Sequence, residues 1–128
     1  MRERIVLSLA SVLLSLVAIA CGPASGGTEP SASPTETDVT ITANQLAFDT
    51  ATVSLEAGEA RTIRLVNLEN LPHNVAIYVD ESASQSLFVG ELINRGEIVY
   101  QLPPLEPGTY FFRCDLHPEM KGSLVVGE

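Results

Sequence analysis

Residues 108–126 constrain the fold of this 128-residue chain more than any other stretch. Two apolar, strand-like segments flank a short loop that contains Cys114, His117 and Met120, each three residues after the last. Pro118 prevents a continuous helix through this loop because its ring blocks helical hydrogen bonding. We therefore expect the chain to fold back tightly here, so that a thiol, an imidazole and a thioether converge between two strands.

These three side chains form a distinctive set of metal ligands. Thiolate, imidazole and thioether are soft or borderline donors that suit copper, whereas calcium, magnesium and manganese prefer oxygen. One more imidazole would complete the trigonal Cys-His-His set with a weak axial Met that defines a type 1 copper site. The chain has one other histidine, His73, which follows Pro72 at the start of an apolar segment. The predicted ligands are therefore His73, Cys114, His117 and Met120.

The counts of ligating residues exclude several other metal proteins, because the chain has two histidines and two cysteines in all. A zinc finger needs two cysteine-type pairs. The binuclear copper centre of cytochrome oxidase needs two cysteines in this loop, and multicopper oxidases, nitrite reductases and copper–zinc dismutase need more than two histidines. We therefore expect no enzyme. The alternative is a purely structural role, since residues at i, i+3 and i+6 share a helical face, but Pro118 argues against a helix.

The sequence resembles the cupredoxin family of type 1 blue copper proteins, and amicyanin and plastocyanin in particular. The C-x-x-H-x-x-M spacing from Cys114 to Met120 is similar to that of amicyanin. Pro-His-Asn at 72–74 resembles the segment around the family's first histidine, and Pro-Gly-Thr-Tyr at 107–110 resembles the lead-in to the cysteine strand. The resemblance covers residues 38–127.

The resemblance also implies roles for residues near the ligands. In relatives the loop histidine reaches the surface, so His117 is implied as the point of electron entry and exit. Asn74 is implied to orient the ligand loops. Many relatives carry a hydroxyl residue at the position of Asp115, where it ties the two ligand loops together, whereas this chain has a carboxylate. Apolar side chains around the histidines would form a docking patch. This patch consists of Leu71, Pro72, Leu116 and Pro118.

The hydrophobic pattern predicts an all-β fold, an antiparallel Greek-key β-sandwich of about seven to eight strands. Several segments alternate apolar and polar residues, which is the period of a half-buried strand. Ile63 and Leu65 should point inward, and Val75, Ile77 and Val79 should share one face. The predicted strands cover residues 39–42, 51–55, 61–67, 73–79, 97–102, 109–114 and 123–126.

Two further segments carry weaker signals. Residues 80–96 combine polar and short apolar runs with glycines, and we allow for a short helix there. Tyr110 follows a Pro-Gly turn and resembles a tyrosine corner, in which the hydroxyl bonds to the backbone a few residues upstream.

The N-terminus carries export signals. Ile5–Ala20 is uncharged and follows a charged head, and its sixteen residues are fewer than the roughly 20 that a membrane span needs. We predict a signal peptide over 1–20 and a lipidated Cys21, because the preceding residues resemble a bacterial lipobox. Residues 21–37 form a Gly/Pro/Ser/Thr-rich tether, and residues 38–128 form the cupredoxin domain. The alternatives are a soluble exported protein cut near Cys21 and an uncleaved anchor.

Charge limits the possible partners. Removal of residues 1–20 leaves five basic and fifteen acidic residues. Nucleic acid is not expected as a partner because its phosphates would be repelled. The acidity serves either solubility or steering towards a basic redox partner.

These features together predict an extracytoplasmic one-electron carrier that cycles one copper ion between Cu(I) and Cu(II). We expect a monomer, in the periplasm or on the outer face of the cytoplasmic membrane, that is held by its lipid anchor and meets a redox partner protein. One alternative is a copper-holding or copper-delivery lipoprotein that uses the same ligands. A second alternative is a sandwich that binds a partner protein and has no redox role.

Overall fold

The computed structural model describes residues 37–128. The predicted signal peptide, Cys21 and nearly all of the tether lie outside the described residues. Nine strands and no helix occur in the described part of the chain. The strands are β1 (Val39–Asn44), β2 (Ala47–Phe48), β3 (Thr52–Glu56), β4 (Arg61–Asn67), β5 (Ala76–Tyr78), β6 (Ser86–Val89), β7 (Gly96–Leu102), β8 (Gly108–Arg113) and β9 (Lys121–Gly127).

The strands form two sheets, with the orders β2-β1-β4-β7 and β3-β9-β8-β5-β6. Most neighbouring strands are antiparallel, but β1 pairs with β4, and β3 with β9, in parallel. Both parallel pairs join strands that are not consecutive along the chain, as Greek-key connections require. The predicted all-β sandwich is therefore confirmed, with two parallel pairings that alternation of apolar residues does not indicate.

The core lies between the two sheets and is apolar. It takes inward residues from β1, β4 and β7 on one side and from β3, β5, β8 and β9 on the other. Ile63 and Leu65 are 2% and 0% exposed, which confirms their predicted inward direction. In β3 the alternation is complete, because Val53 and Leu55 are buried while their neighbours are exposed.

The strand expected over residues 73–79 is shorter than predicted. Only Ala76–Tyr78 belongs to β5, and Val79 is 38% exposed and does not share the buried face of Val75 and Ile77. The residues before β5 bond to the loop that precedes β7, since the amide of Gly90 donates to the carbonyl of Val75 at 3.0 Å. Because Val75 pairs with Gly90 in this way, β5 does not extend back to His73 as predicted.

The helix considered for residues 80–96 is wrong. The Asp80 carboxylate accepts the Ser82 amide at 2.8 Å, and Ala83 has a left-handed φ of 51°. Such a residue interrupts any helix. Ser86–Val89 then pairs antiparallel with β5. Tertiary pairing therefore overrides the local polar pattern.

Four connections meet at one end of the sandwich, which we call the ligand-loop end. They are the β1–β2 turn, the β4–β5 loop, the β6–β7 loop and the β8–β9 loop. At the other end, the Tyr110 hydroxyl donates to the carbonyl of Glu106 at 2.9 Å, the bond expected of a tyrosine corner. Among residues 37–128, no helix has the length and apolar character needed to cross a membrane.

Candidate metal centre

The ligand-loop end brings His73, Cys114 and His117 together. One donor atom from each lies within 4.8 Å of the other two. Cys114 Sγ is 3.8 Å from His73 Nδ1 and 3.6 Å from His117 Nδ1. The two imidazole rings have centroids 4.7 Å apart and are tilted by 55°. Two ring nitrogens therefore face one thiol sulfur across a space of the size of a single ion.

The β8–β9 loop positions Cys114 and His117 through its own backbone. The amide of Cys114 donates to the carbonyl of Met120, and the amide of Met120 donates to the carbonyl of His117, both at 2.9 Å. The flanking strands pair in register from Arg113 opposite Lys121. The loop is therefore closed at its base, which fixes its three potential ligands relative to one another.

Met120 lies on the buried side of this loop. It is 1% exposed and belongs to the same apolar cluster as Cys114. Its thioether is thus shielded from water, as an axial ligand of a type 1 site would be.

His73 comes from the β4–β5 loop and is completely buried. Its amide and carbonyl both pair with Ile93 at 3.0 Å. The side-chain amide of Asn67 donates to the carbonyls of Leu71 and Ile93 at 2.8 Å. These bonds hold the loop at and before the histidine, so the backbone of His73 is fixed in position.

Glu69 fixes the orientation of the His73 ring. Its carboxylate lies 2.8 Å from His73 Nε2, which leaves Nδ1 to face Cys114. The same carboxylate oxygen accepts the amide of Leu46 at 3.2 Å. The Leu46 amide, followed by the contact with His73, lowers the pKa of Glu69. The carboxylate therefore stays charged and favours a proton on Nε2, the tautomer that leaves Nδ1 free for a metal.

Sequence reasoning missed Glu69. It lies in an irregular loop four residues before His73 and belongs to no periodic pattern. The only available signal was its chemistry, because carboxylates commonly accept the second N–H of a metal-binding histidine.

Asn74 connects the two ligand loops. Its side-chain oxygen accepts the amide of Asp115 at 2.9 Å, and its side-chain nitrogen donates to the carbonyl of Gly90 at 3.0 Å. Asn74 is 2% exposed, so these bonds form away from water. The predicted positioning role of Asn74 therefore has a physical basis in these contacts.

Asp115 has partners that the sequence did not suggest. Its carboxylate accepts the Tyr78 hydroxyl at 2.5 Å and lies 3.5 Å from Nε of Arg113. Burial, followed by the hydrogen bond to Asp115, raises the pKa of Tyr78. The tyrosine therefore keeps its proton and remains a donor to the carboxylate.

Exposed apolar side chains flank the second histidine at the ligand-loop end. His117 is half-buried, whereas Leu71 and Leu116 are 47% and 51% exposed. Pro118 is exposed and Pro72 is half-buried. All four residues of the predicted docking patch thus flank the two histidines in sequence. Three more exposed leucines lie on neighbouring connections at this end. They are Leu46, Leu68 and Leu92.

The donor set fits a copper ion better than a hard cation. The three clustered residues offer a thiolate and two imidazoles, and the buried thioether of Met120 lies on the same loop. Soft and borderline donors of this kind suit copper. Fold and site together define a β-sandwich protein with a buried soft-ligand metal centre.

The chain belongs to the cupredoxin-like family, since the family description "Cupredoxin-like domain" matches residues 10–126. Two curated relatives are amicyanins. Amicyanin of Paracoccus versutus is 32% identical over 88 residues, which cover 69% of this chain and 64% of the relative. Amicyanin-alpha of Methylorubrum extorquens is 33% identical over 109 residues, which cover 85% of each chain. The match thus spans slightly less than two thirds of the Paracoccus versutus protein.

Solved structures agree with the family assignment. Dithionite-reduced auracyanin from Roseiflexus castenholzii has a TM-score of 0.63 at 19% identity, covering 70% of this chain and 96% of auracyanin, and this likeness concerns the fold. Amicyanin from Paracoccus versutus has a TM-score of 0.57 at 30% identity, and the match covers 73% of this chain and 84% of that amicyanin. A reduced Cu(I) form of an amicyanin mutant has a TM-score of 0.55 at 25% identity, and the match covers 70% of this chain and 81% of the mutant.

Proposed function

We propose that this chain is an extracytoplasmic one-electron carrier with a mononuclear type 1 copper site. The observation that carries the proposal is the convergence of one cysteine and two histidine donor atoms within 4.8 Å. His73, Cys114 and His117 would be the strong ligands, and Met120 the weak axial ligand. A bound copper ion would supply the one-electron couple between Cu(I) and Cu(II).

The protein's own contribution is rigidity. Glu69 holds the His73 ring, Asn74 joins the two ligand loops, and the backbone of Met120 closes the loop of Cys114. A site that is already organised needs little rearrangement when its charge changes, which favours rapid electron transfer. Complete burial of His73 and Cys114 also favours electron transfer over copper delivery, because metal exchange requires access to the ligands.

His117 is our candidate for electron entry and exit. It is the only half-buried member of the three clustered donors, and the other two are buried. The flanking patch of Leu71, Pro72, Leu116 and Pro118 would receive a redox partner by apolar contact. Such encounters use small interfaces, so a patch of this size is sufficient.

The location and anchor of the protein are part of the proposal. Residues 1–20 have the composition of a signal peptide, and Cys21 follows a segment that resembles a lipobox. A lipid on Cys21 and a flexible tether over 21–37 would let the domain reach partners near the outer face of the membrane. A monomer, a redox partner protein and the absence of substrate chemistry belong to the same proposal.

The test is an optical and electron paramagnetic resonance spectrum after addition of Cu(II) to the protein from residue 22 onward. We expect an intense visible band, because of thiolate-to-copper charge transfer. We also expect narrow copper hyperfine splitting, because the covalent copper–thiolate bond spreads the unpaired electron onto sulfur. Cys114→Ala should abolish the band, whereas the exposed-site control Asp80→Asn should retain it. Colour that persists in Cys114→Ala would refute the ligand assignment, and an ordinary tetragonal spectrum of the parent protein would refute the type 1 site.

A further inference from the structure

The carboxylate of Asp115 occupies an unusual place, directly after Cys114. It is partly buried, with 27% of its side chain exposed. Three side chains face it: the Tyr78 hydroxyl at 2.5 Å, the Asn74 side-chain nitrogen at 3.4 Å and Arg113 Nε at 3.5 Å. The Tyr78 hydroxyl is the nearest of these groups, and Arg113 Nε makes an ion-pair contact without a hydrogen bond.

Tyr78 is the most firmly placed of these partners. It lies on β5, opposite Phe111 of β8, and is 7% exposed. With Ala76 and Phe111 it forms a small apolar cluster that is separate from the main core. The Arg113 guanidinium covers its ring, 5.0 Å from the centroid. The hydroxyl is thus attached to a firmly packed ring on β5, an inner strand of the five-stranded sheet.

The hydrogen bond from this hydroxyl to Asp115 restricts the position of the neighbouring Cys114. Hydrogen bonds to ionised acceptors are short and strong, so the side chain of Asp115 is anchored to β5. The backbone amide of the same residue donates to Asn74 at 2.9 Å. Asp115 is covalently linked to Cys114, so both contacts restrict the position of the thiol.

We propose that Tyr78 and Asp115 form a positioning pair that fixes the Cys114 sulfur relative to His73. Arg113 supports the pair by covering the tyrosine ring and facing the carboxylate. This inference rests on the proposed copper site, since its effect is on the orientation of a copper ligand.

The experiment is a double-mutant cycle of Tyr78→Phe and Asp115→Ala, made in the full chain and loaded with Cu(II). Tyr78→Phe removes only the hydroxyl and keeps the ring under Arg113. Asp115→Ala removes the carboxylate that accepts this hydrogen bond and leaves no side-chain acceptor. The readouts are copper affinity, the copper hyperfine splitting and urea unfolding of the metal-free protein. Tyr110→Phe is the matched control, because its hydroxyl bonds to the distant Glu106 carbonyl.

We expect Tyr78→Phe to weaken copper binding about 10-fold, the lower end of what loss of a ligand-orienting partner costs. The hyperfine splitting should change with it. In the Asp115→Ala background, Tyr78→Phe should have little further effect, because the bond is already lost. The Tyr110→Phe control should change neither affinity nor splitting.

Two outcomes would overturn the proposal. If Tyr78→Phe lowers the stability of the metal-free protein but leaves the splitting and the affinity unchanged, the pair is only structural. If Tyr78→Phe has equal effects with and without Asp115, the two residues do not act together. Neither outcome would contradict the assignment of the copper ligands. That assignment is wrong if the parent protein lacks a type 1 spectrum. That result would overturn the positioning proposal as well.

Discussion

At the scale of single residues, burial distinguishes the ligand candidates. His73 and Cys114 are 0% exposed and Met120 is 1% exposed, while His117 is half-buried. Three of the four side chains are thus fixed by packing, and the fourth is fixed mainly by its loop. The residue that is least enclosed is also the one that a partner protein could approach.

Met120→Leu tests the axial role at this scale. Leucine has nearly the same volume, so we expect the free energy of unfolding to fall by less than about 1.5 kcal/mol. Copper should still bind, because the three strong donors remain. The reduction potential should rise, because the oxidised ion loses a donor, and a redox titration measures this shift. Complete loss of copper would contradict an axial role.

Gly90→Ala tests how closely the chain packs against Val75 and Tyr100. A Cβ at this position would lie 2.7 Å from ring atoms of Tyr100 and 2.7 Å from the carbonyl oxygen of Val75. One of these contacts is backbone and cannot move cheaply, so we expect a loss of about 1–3 kcal/mol in stability. Gly127→Ala is the control, because a Cβ there meets no atom within 4 Å. Urea unfolding of both variants measures the difference, and equal losses would contradict the packing argument.

At the scale of elements, the strongly patterned parts of the fold were predictable. Alternation located the strands around residues 61–67 and 97–102 almost to the residue, and the inward direction of Ile63 and Leu65 followed from it. Spacing placed Cys114, His117 and Met120 on one loop. These features depend on local sequence, which is why a single chain was sufficient to predict them.

Other elements depend on contacts that local sequence does not contain. The turn before β2 uses Gln45 and Leu46 with φ of 56° at both residues, a conformation usually signalled by Asn-Gly. The amide of Leu46 then bonds to Glu69, which in turn orients His73. No periodic pattern links these three residues. Likewise, the partner of the Asp115 carboxylate is Tyr78, which is distant in sequence and adjacent only after β5 and β8 pair.

At the scale of the whole molecule, stability should fall steeply in alkali. Burial raises the pKa of Tyr100 from 10.0 to about 12. Below pH 10 the folded and unfolded states both hold this proton, so the contribution to stability is complete. Between pH 10 and 12 the unfolded state releases it first, which removes about 2–3 kcal/mol of stability.

Denaturant unfolding at pH 9 to 12 measures this loss. The decline should be shallower in Tyr100→Phe than in the parent protein, because the variant has no phenol to ionise at this position. Tyr78, whose pKa is also raised, contributes in the same direction and remains in the variant. An equally steep decline in both proteins would show that Tyr100 is not the group responsible.

Net charge is the other property that belongs to the whole molecule. Residues 37–128 carry five basic and thirteen acidic side chains, and Glu119 is exposed between His117 and Met120. A cationic redox reagent should therefore be attracted to the ligand-loop end and an anionic one repelled.

Raising the ionic strength from about 0.01 to 0.15 M shortens the screening length from about 30 to 8 Å. The second-order rate of electron transfer should fall with salt for the cationic reagent and rise for the anionic one. Stopped-flow measurements with two small complexes of similar potential and opposite charge test this. The same salt trend for both reagents would mean that the acidity serves solubility and does not steer a basic partner.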